Sequence, residues 1–362
     1  MGQAETCSMI FHTHIQQLTA SLPLIMTTKH TAAISSDIPL MKMSLHLQEC
    51  QAMEIHSLIN EDNFGGIMSF LASASAGIWL NQTFSSLDMS VFQFFGSIQC
   101  AFLNVLALIF TAMGESKFVA LFALFGLVLV FFRKTRKLGL SIVFAVIIGT
   151  LLTNILIKPM VMRVRPYNAL QNIPGFLDWY KGAGMFAESD FCFPSGHSTG
   201  AMEIAVVLCL CLIGEKKGRF AWIPPLAAVL VGCSRVYLMV HYASDVMGGW
   251  IIGLIAGIAG YFIAQAAAGV INRSLDRAAA KKGKKPPRDS VGPVLRNLIF
   301  LCAGLIFFMI SFIPLINKAG SDIQRCAYDG DYKCYNEAET SDKYPAIDGK
   351  NYCKIHWKEL NK

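Results

Sequence analysis

Three short stretches of this chain hold ionisable side chains where apolar blocks begin or end, a place where a charge is costly unless it has a partner or a function. The first is Lys158-Pro-Met-Val-Met-Arg-Val-Arg165-Pro166. Lys158 and Arg165 are seven residues apart, close to two helical turns, so a continuous helix puts both on one face. Two cations on one face at a membrane surface suit a phosphate. The second stretch, Phe193-Pro194-Ser195-Gly196-His197-Ser198, precedes an apolar helix. The free N–H groups of a helix start favour an anion, Gly196 lets the backbone approach it, and the Ser195 hydroxyl adds a hydrogen bond. His197 then stands beside the anion, able to supply a proton. The third stretch is Ser234-Arg235-Val-Tyr-Leu-Met-Val-His241-Tyr-Ala-Ser-Asp245. Its i,i+4 histidine–aspartate pair is within contact on a helix, and the carboxylate fixes the tautomer of the imidazole. Arg235 lies six residues before His241, about 120° off a shared helical face, so it must reach round or the helix must deform. Taken singly, each stretch has a plainer reading: cations that cap a span snorkel, and a serine before a histidine is a helix cap with an interfacial ring.

The elements that position these residues are apolar blocks. Of 362 residues, 54% are hydrophobic and 15% charged, well below the ~25% charged of a soluble domain. Blocks run over 101–113, 118–132, 138–157, 198–213, 221–240, 246–268 and 297–316, with a shorter one at 67–80 that reads as interfacial. The expected fold is therefore all-α, a polytopic transmembrane bundle of about six core spans with one further C-terminal span. Basic clusters at Arg133–Lys137, Lys216–Arg219 and Lys281–Arg288 agree on one cytoplasmic side. That orientation carries Lys158, the 167–193 loop, the Pro194–His197 stretch and His241 together to the extracytoplasmic face. The net charge of +7 is explained by those flanks, and no nucleic-acid-binding motif accompanies it.

The joint pattern K-x6-RP, PSGH, SR-x5-H-x3-D resembles that of the type 2 phosphatidic acid phosphatase superfamily, over roughly residues 100–270. The resemblance implies a membrane phosphatase with no metal or other cofactor, in which His241 is the nucleophile, Asp245 orients it and His197 protonates the leaving oxygen. Lys158, Arg165, Arg235, Ser195 and Gly196 are implied as the phosphate-binding set. Lipid phosphates are the expected partners: undecaprenyl pyrophosphate first, then phosphatidate or phosphatidylglycerophosphate. The alternatives are a small-molecule phosphatase of the glucose-6-phosphatase type, or a non-catalytic transporter or scaffold that keeps the bundle.

Around the core, residues 1–90 read as an extension, 271–294 as a basic cytoplasmic linker, 295–317 as the added span and 318–362 as a polar extracytoplasmic tail. Met1-Gly2 opens a loose myristoylation pattern. Eleven cysteines include no CxxC pair with a partner, so no zinc site is expected. Cys326, Cys334 and Cys353 in the tail, with Cys192 in the loop, are the candidates for disulfides on an oxidising side. Glu203, less than two turns beyond His197, either reaches the arginines or faces a wet cleft.

Overall fold

The structure, a computed structural model, describes residues 64–283, 324–330, 333–339 and 341–361. Helix α1 spans Phe64–Ser97, α2 Ala101–Gly114 and α3 Ser116–Val130. Helix α4, Arg136–Thr150, passes through a π-helical stretch, Leu151–Ile157, into the short α5, Lys158–Val161. Two loop helices follow, α6 at Pro166–Ala169 and α7 at Phe176–Gly182. The long helices α8, Gly196–Gly214, α9, Ile223–Tyr237, and α10, Ala243–Lys281, complete the bundle, and α11, Lys354–Leu360, lies in the tail.

Four described segments are long and apolar enough to cross a membrane: Arg136–Ala169, Gly196–Gly214, Gly218–Tyr237 and Ala243–Lys281. Helices α2 and α3 make a fifth if taken as one span bent by 43° at Glu115. Taken so, the blocks at 101–113 and 118–132 are halves of one bent unit, and the described residues hold four such segments, or five with that pair. The added span expected at 295–317 lies outside the described residues, as do residues 284–294 of the linker and the first 63 residues. The helix α1 crosses the expected boundary at residue 90, and α10 crosses that at 270 to end at Lys281.

Small residues set how closely the central helices pack. On α10, Gly249, Gly253 and Gly257 recur every four residues and so form one stripe. A Cβ at Gly249 would sit 2.6 Å from the Ser195 carbonyl oxygen, and one at Gly253 2.6 Å from that of Thr199. Backbone therefore meets backbone along α8 and α10, as in small-residue helix pairs of membrane proteins. This seats Ser195 directly against α10, where its N–H donates to the Asp245 carbonyl at 3.1 Å.

The two ends of the bundle differ in charge chemistry. Helix α8 starts at the site and rises about 28 Å over 19 residues. At the far end, Arg133 forks onto Asp276 at 2.6 and 2.7 Å, and Arg136 donates to Asn272. The near end is aromatic: Tyr167 stacks on Tyr180 at 5.0 Å and Phe92 meets Phe176 edge-on at 5.2 Å. These rings bury the base of the loop that carries residues 186–192.

Candidate active site

Two helix breaks assemble the site. Pro166 pushes the preceding residue out of the helical region, and Arg165 is extended at φ −68°, ψ 146°. The helix before it stops at Val161, with Met162 left-handed at φ 48°. Lys158 and Arg165 therefore do not share a helix face, as their spacing suggested; they meet instead on one carboxylate. Lys158 Nζ lies 2.5 Å from Asp190 Oδ2, and Arg165 Nη2 lies 2.5 Å from Asp190 Oδ1. The second break removes the angular conflict between Arg235 and His241. Helix α9 ends at Tyr237, Met239 is left-handed at φ 58°, and His241 occupies the turn before α10.

His241 is almost wholly enclosed, at 1% exposure. Its Nδ1 faces Asp245 Oδ2 at 3.4 Å, while Nε2 lies 3.1 Å from Arg165 Nη1. A guanidinium can only donate, so Nε2 is the acceptor and the proton of the neutral ring belongs on Nδ1. Burial, reinforced by Arg165, lowers the imidazole to about 3 against the opposing pull of Asp245. The ring is thus neutral at physiological pH, with its Nε2 lone pair aimed among cations. Asp245 Oδ2 also accepts from the Tyr242 N–H at 2.9 Å and from the Cys192 thiol at 2.7 Å.

Behind Asp245 lies Arg163, which the motif reading passed over. Its side chain is fully buried and donates to Asp245 at 2.5 Å, Ser244 at 2.7 Å, Asn81 at 2.8 Å and Asp88 at 2.9 Å. Its guanidinium also lies 3.9 Å above the Tyr242 ring. Asn81 and Asp88 bring α1 into the site's support, so this helix belongs to the working core. They stand seven residues apart on one helical face, the only hint that the sequence offered.

On the open side, Arg235 donates to Thr111 Oγ1 at 2.7 Å and pairs with Glu188. Burial alone would raise the Glu188 carboxyl, yet Arg235 and then Arg165 hold it well below the usual range. Arg165 touches His241, so the first and third motifs meet here. His197 Nε2 is 3.3 Å from Glu115 Oε2, at the bend between α2 and α3. The Ser195 hydroxyl accepts from Ser198 Oγ at 2.9 Å, and a Cβ on Gly196 would meet nothing nearer than Asn154 Oδ1 at 3.8 Å. Glu203 contacts none of these groups: it packs on Gly149, buried, with its Oε2 lacking a hydrogen-bond partner. Cys192 lies at His241 and Asp245 instead of pairing with the tail, and no disulfide joins the described cysteines.

An all-α membrane bundle with two histidines, two arginines and a lysine gathered at its span ends defines the class. The pattern of the PAP2 superfamily matches residues 138–268. The chain is 35% identical over 153 residues to phosphatidylglycerophosphatase B of Bacillus subtilis, covering 40% of this chain and 67% of that one. It is 33% identical over 126 residues to undecaprenyl-diphosphatase of Sulfolobus acidocaldarius, covering 34% of this chain and 54% of that one. A third relative, lipid A 4'-phosphatase of Porphyromonas gingivalis, is 30% identical over 131 residues, with 35% and 52% covered. The chain thus spans two thirds of the first relative and about half of the other two. It belongs to the PAP2 superfamily.

Proposed function

We propose that this protein hydrolyses a lipid phosphate or diphosphate through a phosphohistidine on His241. The observation that carries the reading is the placement of the His241 ring, with Nδ1 3.4 Å from Asp245 and Nε2 3.1 Å from Arg165. Nε2 attacks phosphorus while Lys158, Arg165, Arg235, the Ser195 hydroxyl and the Gly196 N–H hold the phosphoryl oxygens. Fixed cations supply the charge stabilisation that phosphoryl transfer needs most. His197, steadied by Glu115, gives its proton to the leaving oxygen. Deprotonated in that step, it takes a proton from the water that then attacks phosphorus and releases inorganic phosphate from His241.

A lipid substrate is favoured by what flanks the site. Ile155, Leu156 and Met160 beside Lys158, and Met247 and Ile251 beyond Asp245, present exposed apolar side chains. They offer an acyl or isoprenoid chain a bilayer path beside the cations, which a sugar phosphate would not use. Relatives named for undecaprenyl diphosphate and phosphatidylglycerophosphate support that class, and an isoprenoid diphosphate is the leading substrate. The site opens toward the extracytoplasmic side, a placement supported by the basic residues Arg133 and Arg136 at the opposite end. Phosphate release by the purified protein should be compared for an isoprenoid diphosphate, phosphatidate, phosphatidylglycerophosphate and glucose 6-phosphate. His241→Ala should abolish release from every substrate that the wild type accepts; retained turnover would overturn the reading.

A further inference from the structure

The tail contains a second constellation that the phosphatase chemistry does not use. Cys326, Cys334, Cys353 and His356 are all buried, and their Sγ and ring-nitrogen atoms lie within 4.8 Å of one another. Cys326 Sγ and Cys353 Sγ are each 3.4 Å from His356 Nδ1. In a tetrahedral zinc site, bond lengths of about 2.3 Å to sulfur and 2.0–2.1 Å to nitrogen make that edge about 3.6 Å. One imidazole nitrogen has a single lone pair, so two sulfurs equidistant from it point to a common centre more readily than to two hydrogen bonds.

The surroundings are those of thiolate ligands. The Cys353 N–H donates to Cys326 Sγ at 3.2 Å, and Asn336 Nδ2 donates to Cys353 Sγ at 3.5 Å. Across the interface, Asn168 Nδ2 approaches Cys334 Sγ at 4.0 Å. His356 Nε2 faces Glu359 Oε2 at 3.9 Å, the outer carboxylate that commonly orients a metal-bound histidine. Size argues the same way. The described tail has one short helix and three isolated bridges, and its small apolar cluster is built on the cysteines themselves. A unit this small, near the roughly 40-residue limit, usually draws on a disulfide, a metal or oligomerisation to hold together.

We propose that Cys326, Cys334, Cys353 and His356 bind one structural zinc ion, and that the zinc module braces the active-site loop. Three thiols coordinate as thiolates and release their protons to solvent, leaving a centre of net charge −1 with no redox change. The bracing runs through residues beside and between the ligands. Asn336 Oδ1 accepts from Tyr167 at 2.9 Å and from Asn168 at 3.0 Å, Arg325 donates to the Met185 carbonyl at 2.5 Å, and the Glu337 N–H donates to the Glu188 carbonyl at 3.3 Å. Glu188 is the carboxylate that pairs with Arg235.

The test is the metal content of the full-length protein, purified in detergent without added chelator, by inductively coupled plasma mass spectrometry. About one zinc per chain is expected. Cys334→Ser and His356→Ala should each lose most of it, while Cys209→Ser should keep it. Should the ligand variants misfold, mercurial titration of the wild type gives an independent reading, with about one zinc released as three thiols react. Hydrogen exchange should then rise in residues 183–188 together with 325–338. Iron in place of zinc, or a metal-free wild type with two tail cysteines in a disulfide by non-reducing peptide mapping, would overturn the proposal. Neither readout involves turnover, so the phosphatase reading stands or falls separately.

Discussion

Asp190 holds two of the cations assigned to the phosphate, so removing its charge should tighten anion binding. The carboxylate bridges Lys158 and Arg165 at 2.5 Å each, with side-chain exposures of 41% for Asp190, 11% for Lys158 and 2% for Arg165. Burial works against its charge, but Lys158 and then Arg165 hold it down at about 2. It is therefore ionised above about pH 4, and the stabilisation it contributes is lost only as pH falls from 3.8 through 2. A partly exposed ion pair is worth up to about 1 kcal/mol, so the two contacts an entering phosphate displaces total about 2 kcal/mol. That is roughly a 30-fold factor in affinity. Asparagine keeps some of the hydrogen bonding, so for Asp190→Asn we expect the Ki of inorganic phosphate to fall on the order of tenfold. The assay is product inhibition of phosphate release at pH 7, with KM and kcat measured on the same lipid substrate. KM should fall with Ki, and kcat should change little. A Ki that rises would refute the reasoning, because it would mean that Asp190 positions the cations and does not compete for them.

Two further outcomes follow from buried charge. Arg163→Met leaves Asp88 and Asp245 without their cation, which should cost about 3–5 kcal/mol and lower the thermal unfolding midpoint of the detergent-purified protein. A double-mutant cycle with Asp88→Asn should show coupling of about 0.5–3 kcal/mol, and simple additivity would discard the pairing. His241 is held near 3 by burial and Arg165, so its 15N imidazole signals should keep the neutral pattern from pH 5 to 8. A midpoint near 6.5 would contradict the enclosed neutral ring. The linked stability is present above pH 6.5 and is lost as pH falls towards 3, since the unfolded chain takes up the proton first.

The site was legible where chemistry is local in the chain. Pro194 to His197, Arg235 to Asp245 and Lys158 to Pro166 each lie within a dozen residues at the end of an apolar block, so types and spacing survive without coordinates. Geometry was not legible through the helix breaks, because Met162 and Met239 adopt a left-handed backbone that no glycine announces. A helical wheel therefore misplaced Lys158 against Arg165, and left Arg235 apparently out of reach of His241. Partners far along the chain were equally silent. Asn81 and Asp88 lie about eighty residues before Arg163, Asp88 lies 156 residues before Ser244, and no local pattern links them.

The tail shows the same limit more sharply. Spacings of eight, nineteen and three residues between Cys326, Cys334, Cys353 and His356 match no short zinc signature, and an odd number of thiols suggested disulfides with Cys192. Cys192 is instead committed to Asp245, which removes the fourth thiol from that arithmetic. Three tail cysteines that pair internally must leave one over, whereas a histidine from α11 completes a tetrahedral set with none left over. The ligands also bracket residues 335–337, the segment whose backbone and side chains bind Asn168, Tyr167 and Glu188. A cross-link that closes on this segment orders the loop end at Glu188, and Glu188 sets the partner of Arg235. Metal in the tail and phosphate at the arginines are thus joined by one short run of backbone.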